Sequence, residues 1–203
     1  MNYTYLALGD SYTIGEQVLL SQSFPYQTIQ MLRLKAPENK SYAAPEIIAK
    51  TGWTTDELLT AVEQTLFLKK YDKVSLLIGV NNQYRGRTIE EFKLEFTKLL
   101  QKAIVFAGNI SKNVFVLSIP DWGATVFAEG RDRKKIGAEI DQFNEACRVI
   151  AEQFLCNFID ITYDQRQDSN KVDFLAPDGL HPSGNEYAKW AKKLSNAFLN
   201  TIE

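Results

Sequence analysis

Apolar residues follow two alternating regimes along the chain. Tyr3–Leu8, Glu46–Ala49, Lys73–Ile78, Asn113–Ile119 and Asn157–Ile161 are near-continuous apolar runs of strand length. Continuous rather than alternating runs suit parallel strands covered on both faces. Between them the period changes to that of a helix: Phe92, Phe96, Leu99, Leu100 and Ala103 share one face, as do Tyr187, Trp190, Ala191, Leu194 and Phe198. Thr54 with Glu57, Thr88 with Glu91 and Ser183 with Glu186 have the spacing of a helix-starting capping box. Further helical patterns run from about Phe24 to Leu34 and from about Lys134 to Gln153. This β–α alternation predicts an α/β fold, a three-layer α/β/α sandwich around a five-stranded parallel sheet. No repeat, low-complexity tract or linker interrupts it, so one domain is expected over residues 1–203.

In a doubly wound sheet, ligands bind beyond the carboxyl ends of the strands, near the reversal of strand order. The segments after the predicted strands therefore decide the chemistry. They are Gly9-Asp10-Ser11-Tyr12-Thr13-Ile14-Gly15-Glu16, Lys50-Thr51-Gly52-Trp53, Gly79-Val80-Asn81-Asn82, Pro120-Asp121-Trp122-Gly123 and, after a long loop, Asp178-Gly179-Leu180-His181-Pro182. Together they supply a serine on a glycine-rich turn, an imidazole and a nearby carboxylate. A serine hydroxyl attacks well only when a base takes its proton. His181 is the sole histidine, so a serine–histidine mechanism must use it, and Asp178, three residues before it, can orient the ring through a tight turn. The N–H groups of Ser11 and Gly52 and the amide of Asn81 are candidate donors to an oxyanion. Singly, each residue has an ordinary explanation: a turn serine, a structural histidine, an Asp-Gly turn pair, a positive-φ glycine. Their joint placement at one sheet edge gives them weight.

The blocks GDSYTIGE at 9–16, Gly52, GVNN at 79–82 and DGLHP at 178–182 occur in order across almost the whole chain. With these blocks the chain resembles the SGNH hydrolase superfamily, the GDSL-type lipases and esterases. That resemblance implies a flavodoxin-like sandwich and ester hydrolysis through an acyl-serine. It implies Ser11 as nucleophile, His181 as base, Asp178 as orienting acid, and Ser11, Gly52 and Asn81 as the oxyanion hole. Family blocks commonly read Gly-x-Asn-Asp, whereas Asn82 stands here at the last position. A negative charge is thereby lost, along with any expectation that this position supports Ser11.

Composition narrows the partners. The 203 residues are 45% hydrophobic and 24% charged with a net charge of −2, ordinary for a folded chain that needs no staple. That balance offers no field for nucleic acid or an anionic membrane. Cys147 and Cys156 lack metal or disulfide spacing and read as small hydrophobes in a reducing compartment. The longest apolar runs are far short of the ~20 residues that span a bilayer. The first ten residues show no basic stretch or cleavage site and read as a cytoplasmic start, although the trimmed end of an exported chain reads the same. No metal or cofactor is expected, and the expected partner is a small-molecule ester.

Tyr12, Trp53, Trp122, Val126, Phe127, Phe174 and Leu175 lie on or near the post-strand loops and are candidates to line an acyl pocket, core packing being the plainer role for any one of them. Arg131-Asp132-Arg133-Lys134-Lys135 can hold an anion or simply be solvated. A flavodoxin-like flavin-binding protein is the rival from another class, since residues 11–15 resemble a hydroxyl-rich phosphate loop. It leaves Gly52, Asn81 and the Asp178–His181 pair unexplained. An α/β-hydrolase elbow, Gly-x-Ser-x-Gly, is absent. With no large apolar insertion to act as an interfacial lid, the sequence favours small soluble esters or acetylated carbohydrates.

Overall fold

The computed structural model describes residues 2–37, 39–169 and 171–201. Strands β1 (Asn2–Tyr3) and β2 (Tyr5–Gly9) lead into the one-turn helix α1 (Ser11–Ile14) and then α2 (Phe24–Lys35). β3 (Ser41–Tyr42) and β4 (Glu46–Ala49) precede α3 (Thr55–Gln64). β5 (Lys73–Leu77) is followed by α4 (Val80–Tyr84) and α5 (Ile89–Phe106). β6 (Val114–Leu117) leads to α6 (Arg133–Gln153), β7 (Asn157–Ile159) to α7 (Thr162–Asp168), and α8 (Gly184–Leu199) comes last.

Five of these strands form one parallel sheet in the order β4-β2-β5-β6-β7. Every residue of β2, β5 and β6 is buried, which suits the near-continuous apolar sequences of β2 and β6, whereas β5 also buries the polar Lys73 and Ser75. α2 packs on α8, while α5 packs on α3 and α6, giving the helix layers of the expected three-layer sandwich. The first strand of the sheet, β2, lies between the second and the third, so the winding direction reverses at its carboxyl end. Gly9 stands there in register with both Ala49 and Leu77, and Ser11 follows two residues later. The sequence therefore delivers its serine to the point where such sheets bind ligands.

Three strands end earlier or break sooner than their apolar runs suggest, because side chains intercept the ladder. The run Tyr3–Leu8 divides at Thr4, whose N–H and hydroxyl both donate to the Asp72 carboxylate at 2.8 and 2.9 Å. β1 thus pairs with the short β3 in a separate two-stranded sheet that hydrophobicity alone does not foreshadow. The run Asn113–Ile119 narrows to β6 because the Asn144 amide caps Ile119, accepting from its N–H at 2.6 Å and donating to its carbonyl at 2.9 Å. The run Asn157–Ile161 stops at Ile159 because the Ser118 hydroxyl accepts from Ile161 N–H at 2.9 Å. Helix starts were more legible. Thr88 and Glu91 satisfy each other reciprocally at 3.2 Å, and Thr54 N–H donates to Glu57 at 2.9 Å. Ser183 caps α8 alone. Glu186, buried at its first turn, instead accepts from Trp190 Nε1 at 2.9 Å.

Candidate active site

Gly9 makes the turn after β2 possible. A Cβ at that position would lie 2.0 Å from Thr13 Oγ1 and 2.4 Å from the Leu77 carbonyl oxygen, and the backbone atom cannot yield. Asp10 then caps α1, its Oδ1 accepting from Tyr12 N–H at 3.1 Å, so Ser11 becomes the first residue of the helix. The loop before α8 folds back on itself to meet it. Ala176 N–H donates to the His181 carbonyl at 2.8 Å, and Leu175 bridges Pro182 across the turn. Inside that turn Asp178 Oδ1 accepts from the N–H groups of Leu180 and His181, both at 3.0 Å. Its Oδ2 lies 2.6 Å from His181 Nδ1, and His181 Nε2 lies 3.0 Å from Ser11 Oγ. One unbroken line of hydrogen bonds therefore joins the carboxylate to the hydroxyl across 170 residues of sequence. Burial alone would push the Asp178 carboxyl up, but the imidazole and the two N–H groups outweigh it and hold it below its ordinary range. With Nδ1 bonded to a carboxylate, Nε2 is left to accept a proton.

The second and third loops converge beside Ser11. Gly52 has φ +84°, a left-handed conformation suited to glycine, and its carbonyl accepts from Arg85 Nη2 at 2.6 Å. Asn81 Nδ2 donates to the Trp53 carbonyl at 2.9 Å, which ties α4 to that same loop. Thr51 donates to Glu16, linking it to the first block as well. The N–H groups of Ser11 and Gly52 meet no acceptor among the described residues. Bonds between loops thus tie the second and third loops to the first block, and of the three candidate donors Ser11 and Asn81 line one cavity while Gly52 lies outside its lining.

A cavity of about 230 Å³ opens on this cluster, lined by Ser11, Tyr12, Val80, Asn81, Tyr84, Trp122, Phe127, Leu180 and His181. Of the expected lining residues, Tyr12, Trp122 and Phe127 are there, with the Tyr12 ring 5.3 Å from the His181 ring. Trp53 is not: its side chain packs half-buried against the core, and only its carbonyl serves the site. Phe174, with Leu175, lines a separate small hollow under Pro182, because the fold-back that brings His181 to Ser11 turns this part of the loop away. A larger groove of about 810 Å³ between α5 and α6 contains none of the motif residues.

The sequence profile of the GDSL-like lipase/acylhydrolase family matches residues 7–189. The chain belongs to that family. This GDSL-family chain is accordingly a carboxylic ester hydrolase. Its fold is shared by the lipase/acylhydrolase of Enterococcus faecalis, with a TM-score of 0.76 and 18% identity over 99% of this chain and 97% of that one. TesA matches with a TM-score of 0.74 and 17% identity, covering 98% and 99% of the two chains. The acetylxylan esterase Axe2 of Geobacillus stearothermophilus matches with 0.74 and 19%, covering 99% and 95%. No curated protein matches the sequence.

Within the GDSL-family site, Asn82 has a definite task. It is fully buried, accepts from Thr55 N–H at 3.1 Å and donates to Thr55 Oγ1 at 2.6 Å. It thus secures the start of α3, just past the Gly52 loop, and makes no bond to Ser11. Sequence reading missed Val80, Tyr84 and Leu180 in the wall. Val80 and Tyr84 are one helical turn apart beside Asn81, a spacing legible only once α4 is known to be a helix. Gln83 was missed too: it accepts from Trp122 Nε1 and donates to Glu139, both at 2.7 Å, fixing the tryptophan in the wall.

Asp10 gives the GDSL-family chain a pH-dependent weakness. Complete burial pushes its carboxyl from 3.8 up to about 7, against the lowering effect of the Tyr12 N–H, and its Oδ2 has no partner among the described residues. An acid whose value is raised on folding binds more protons folded than unfolded, so stability falls as pH rises between those two values. Asp10→Asn keeps an oxygen to cap α1 and removes the titration. Its stability relative to the natural chain is expected to climb by about 1.4 kcal/mol per pH unit between about pH 4 and 7, then level off. Urea titrations across that range check it, and parallel curves for the two proteins rule it out.

Proposed function

We propose that the chain hydrolyses small soluble esters, acetylated carbohydrates among them, through an acyl-serine intermediate. Ser11 Oγ attacks the ester carbonyl as His181 Nε2 takes its proton. The negative oxygen so formed is met by the N–H groups of Ser11 and Gly52 and by the Asn81 amide. The imidazolium returns its proton to the departing alcohol, and Asp178 keeps the ring in the tautomer that permits this. Water, activated by the same imidazole, then releases the acid and frees Ser11. The observation that carries the reading is the Asp178–His181–Ser11 line of bonds at 2.6 and 3.0 Å, set at the switch point of the sheet.

The cavity argues for a small acyl group. Its volume of about 230 Å³ falls below the roughly 300–1,000 Å³ typical of sites for drug-sized ligands. Its wall is aromatic at Tyr12, Tyr84, Trp122 and Phe127, which suits an acetyl methyl and the face of a sugar. The acetylxylan esterase of the same fold makes acetylated xylan a sensible first polymer to assay. The flavin-binding alternative needs free hydroxyls after the first strand, but Ser11 Oγ is engaged by His181 and Thr13 is fully buried.

A fluorophosphonate should label Ser11, as shown by peptide mapping. Rates on nitrophenyl esters should fall steeply once the acyl chain outgrows a few carbons. Labelling elsewhere together with an active Ser11→Ala protein refutes the mechanism, and a rate maximum at long chains refutes the substrate class.

A further inference from the structure

The mouth of the cavity carries a cation with no evident duty in the reaction. Arg131, exposed between Gly130 and the start of α6, stands over three rings at once: its guanidinium carbon is 5.4 Å from the Trp122 ring centre, 5.6 Å from Tyr84 and 5.7 Å from Phe127. All three rings belong to the wall around Ser11 and His181. They also contact one another, Tyr84 and Phe127 meeting Trp122 edge-on at 5.2 and 6.1 Å. Trp122 is buried and pinned through Gln83 to Glu139, whereas Tyr84 and Phe127 are 49% and 40% exposed and form the outer rim.

Three of the neighbouring charges are engaged elsewhere. Arg133 donates to the Thr125 carbonyl, Asp132 caps α6 by accepting from Lys135 N–H, and Lys135 pairs with Glu139. Among the described residues the Arg131 side chain pairs with no carboxylate within 4 Å and makes no hydrogen bond, its contacts being the three rings. Attraction between a cation and aromatic rings can hold a guanidinium in place without engaging its N–H groups with a protein acceptor. The N–H donors of Arg131 thus have no protein acceptor among the described residues, and a guanidinium fork matches a carboxylate two bonds at a time. The guanidinium is outside the wall that touches Ser11, so it can meet only a part of the substrate that reaches past the rings.

We propose that Arg131 is a specificity-determining residue that selects esters carrying a carboxylate away from the scissile bond. This rests on the ester-hydrolase reading of the Ser11 cavity and narrows its substrate to anionic small esters, such as acylated acidic sugars. The carboxylate is bound and not altered; the bonds made and broken are those of ester hydrolysis alone.

Matched pairs of esters test it. 4-Acetoxybenzoate and 4-acetoxybenzamide share the acetyl group and differ in charge at the far end of the leaving group. The 4-nitrophenyl monoester of succinic acid and 4-nitrophenyl butyrate place the same difference on the acyl side. In at least one pair the natural protein should favour the anion by about tenfold in kcat/KM at low salt, a margin that shrinks as salt is raised. The anion-to-neutral ratio should fall to near parity in Arg131→Gln, invert in Arg131→Glu and survive in part in Arg131→Lys. A ratio below about twofold in both pairs for the natural protein, or one that persists in Arg131→Gln, overturns the proposal while leaving ester hydrolysis intact. Failure of the natural protein to turn over either neutral ester overturns the hydrolase reading, and this proposal with it.

Discussion

Replacing His181 with alanine is expected to cost on the order of 10⁴-fold or more in kcat. The size of the effect follows from the single imidazole. His181 is the chain's only histidine, its Nε2 is 3.0 Å from Ser11 Oγ, and no other base contacts that hydroxyl among the described residues. Asp178 is poised to orient that base: its carboxyl is held below the ordinary range despite partial burial, through the imidazole and the N–H groups of Leu180 and His181. Asp178→Asn should therefore damage the rate less than His181→Ala, by about one to two orders of magnitude, because the carboxylate orients the base and does not take the proton. Circular dichroism establishes that each variant is folded. A folded His181→Ala protein with near-native turnover would end the serine–histidine mechanism.

The sheet was legible because strands buried on both faces leave an apolar run that little else produces, as in Tyr5–Gly9 and Val114–Leu117. Where the run and the strand disagree, a polar side chain distant in sequence has intervened: Asp72 at Thr4, Asn144 at Ile119, Ser118 at Ile161. Such interceptions depend on tertiary approach, and no local pattern encodes them. Reciprocal capping boxes were legible at Thr54 and Thr88 because both partners are local. At Ser183 the same spacing misled in part, since the carboxylate of Glu186 found Trp190 a turn further on.

The site divides along the same line. Ser11, Asp178 and His181 sit in short ordered blocks that made them candidates, and their side chains meet in one line of hydrogen bonds. The wall does not follow from hydrophobicity. Trp53 and Trp122 both follow strands, yet only Trp122 faces the cavity, because Gln83 reaches across from α4 to hold its indole N–H. Arg85 was invisible for a similar reason. An exposed arginine two residues past Gln83 has no special local signature, and its bond to the Gly52 carbonyl exists only because α4 and the second loop meet.

That bond leads to the second large effect. Asn81→Ala and Gly52→Ala are each expected to lower kcat by on the order of 10²–10³-fold while changing KM little. On the proposed mechanism both donors act on a negative charge that the ester in its ground state does not carry, so their removal should be felt mainly in the transition state. Asn81→Ala removes the amide and also releases the Trp53 carbonyl it holds at 2.9 Å. Gly52→Ala acts differently. The nearest atom to an added Cβ is Arg85 Nη2 at 3.6 Å, an ordinary contact, so the side chain fits and the strain comes from φ +84°. Relieving that strain should rotate the peptide and turn its N–H away from the proposed oxyanion position. Arg85, bonded to the Gly52 carbonyl at 2.6 Å, is a positioning residue for the same peptide. Its loss should cost less, about tenfold in kcat, with partial rescue by Arg85→Lys, because water can take over part of the work at a site this exposed. Separate kcat and KM values on one nitrophenyl ester decide the matter. A rise in KM with kcat preserved, in either Asn81→Ala or Gly52→Ala, removes that residue from the oxyanion site and reassigns it to ground-state binding.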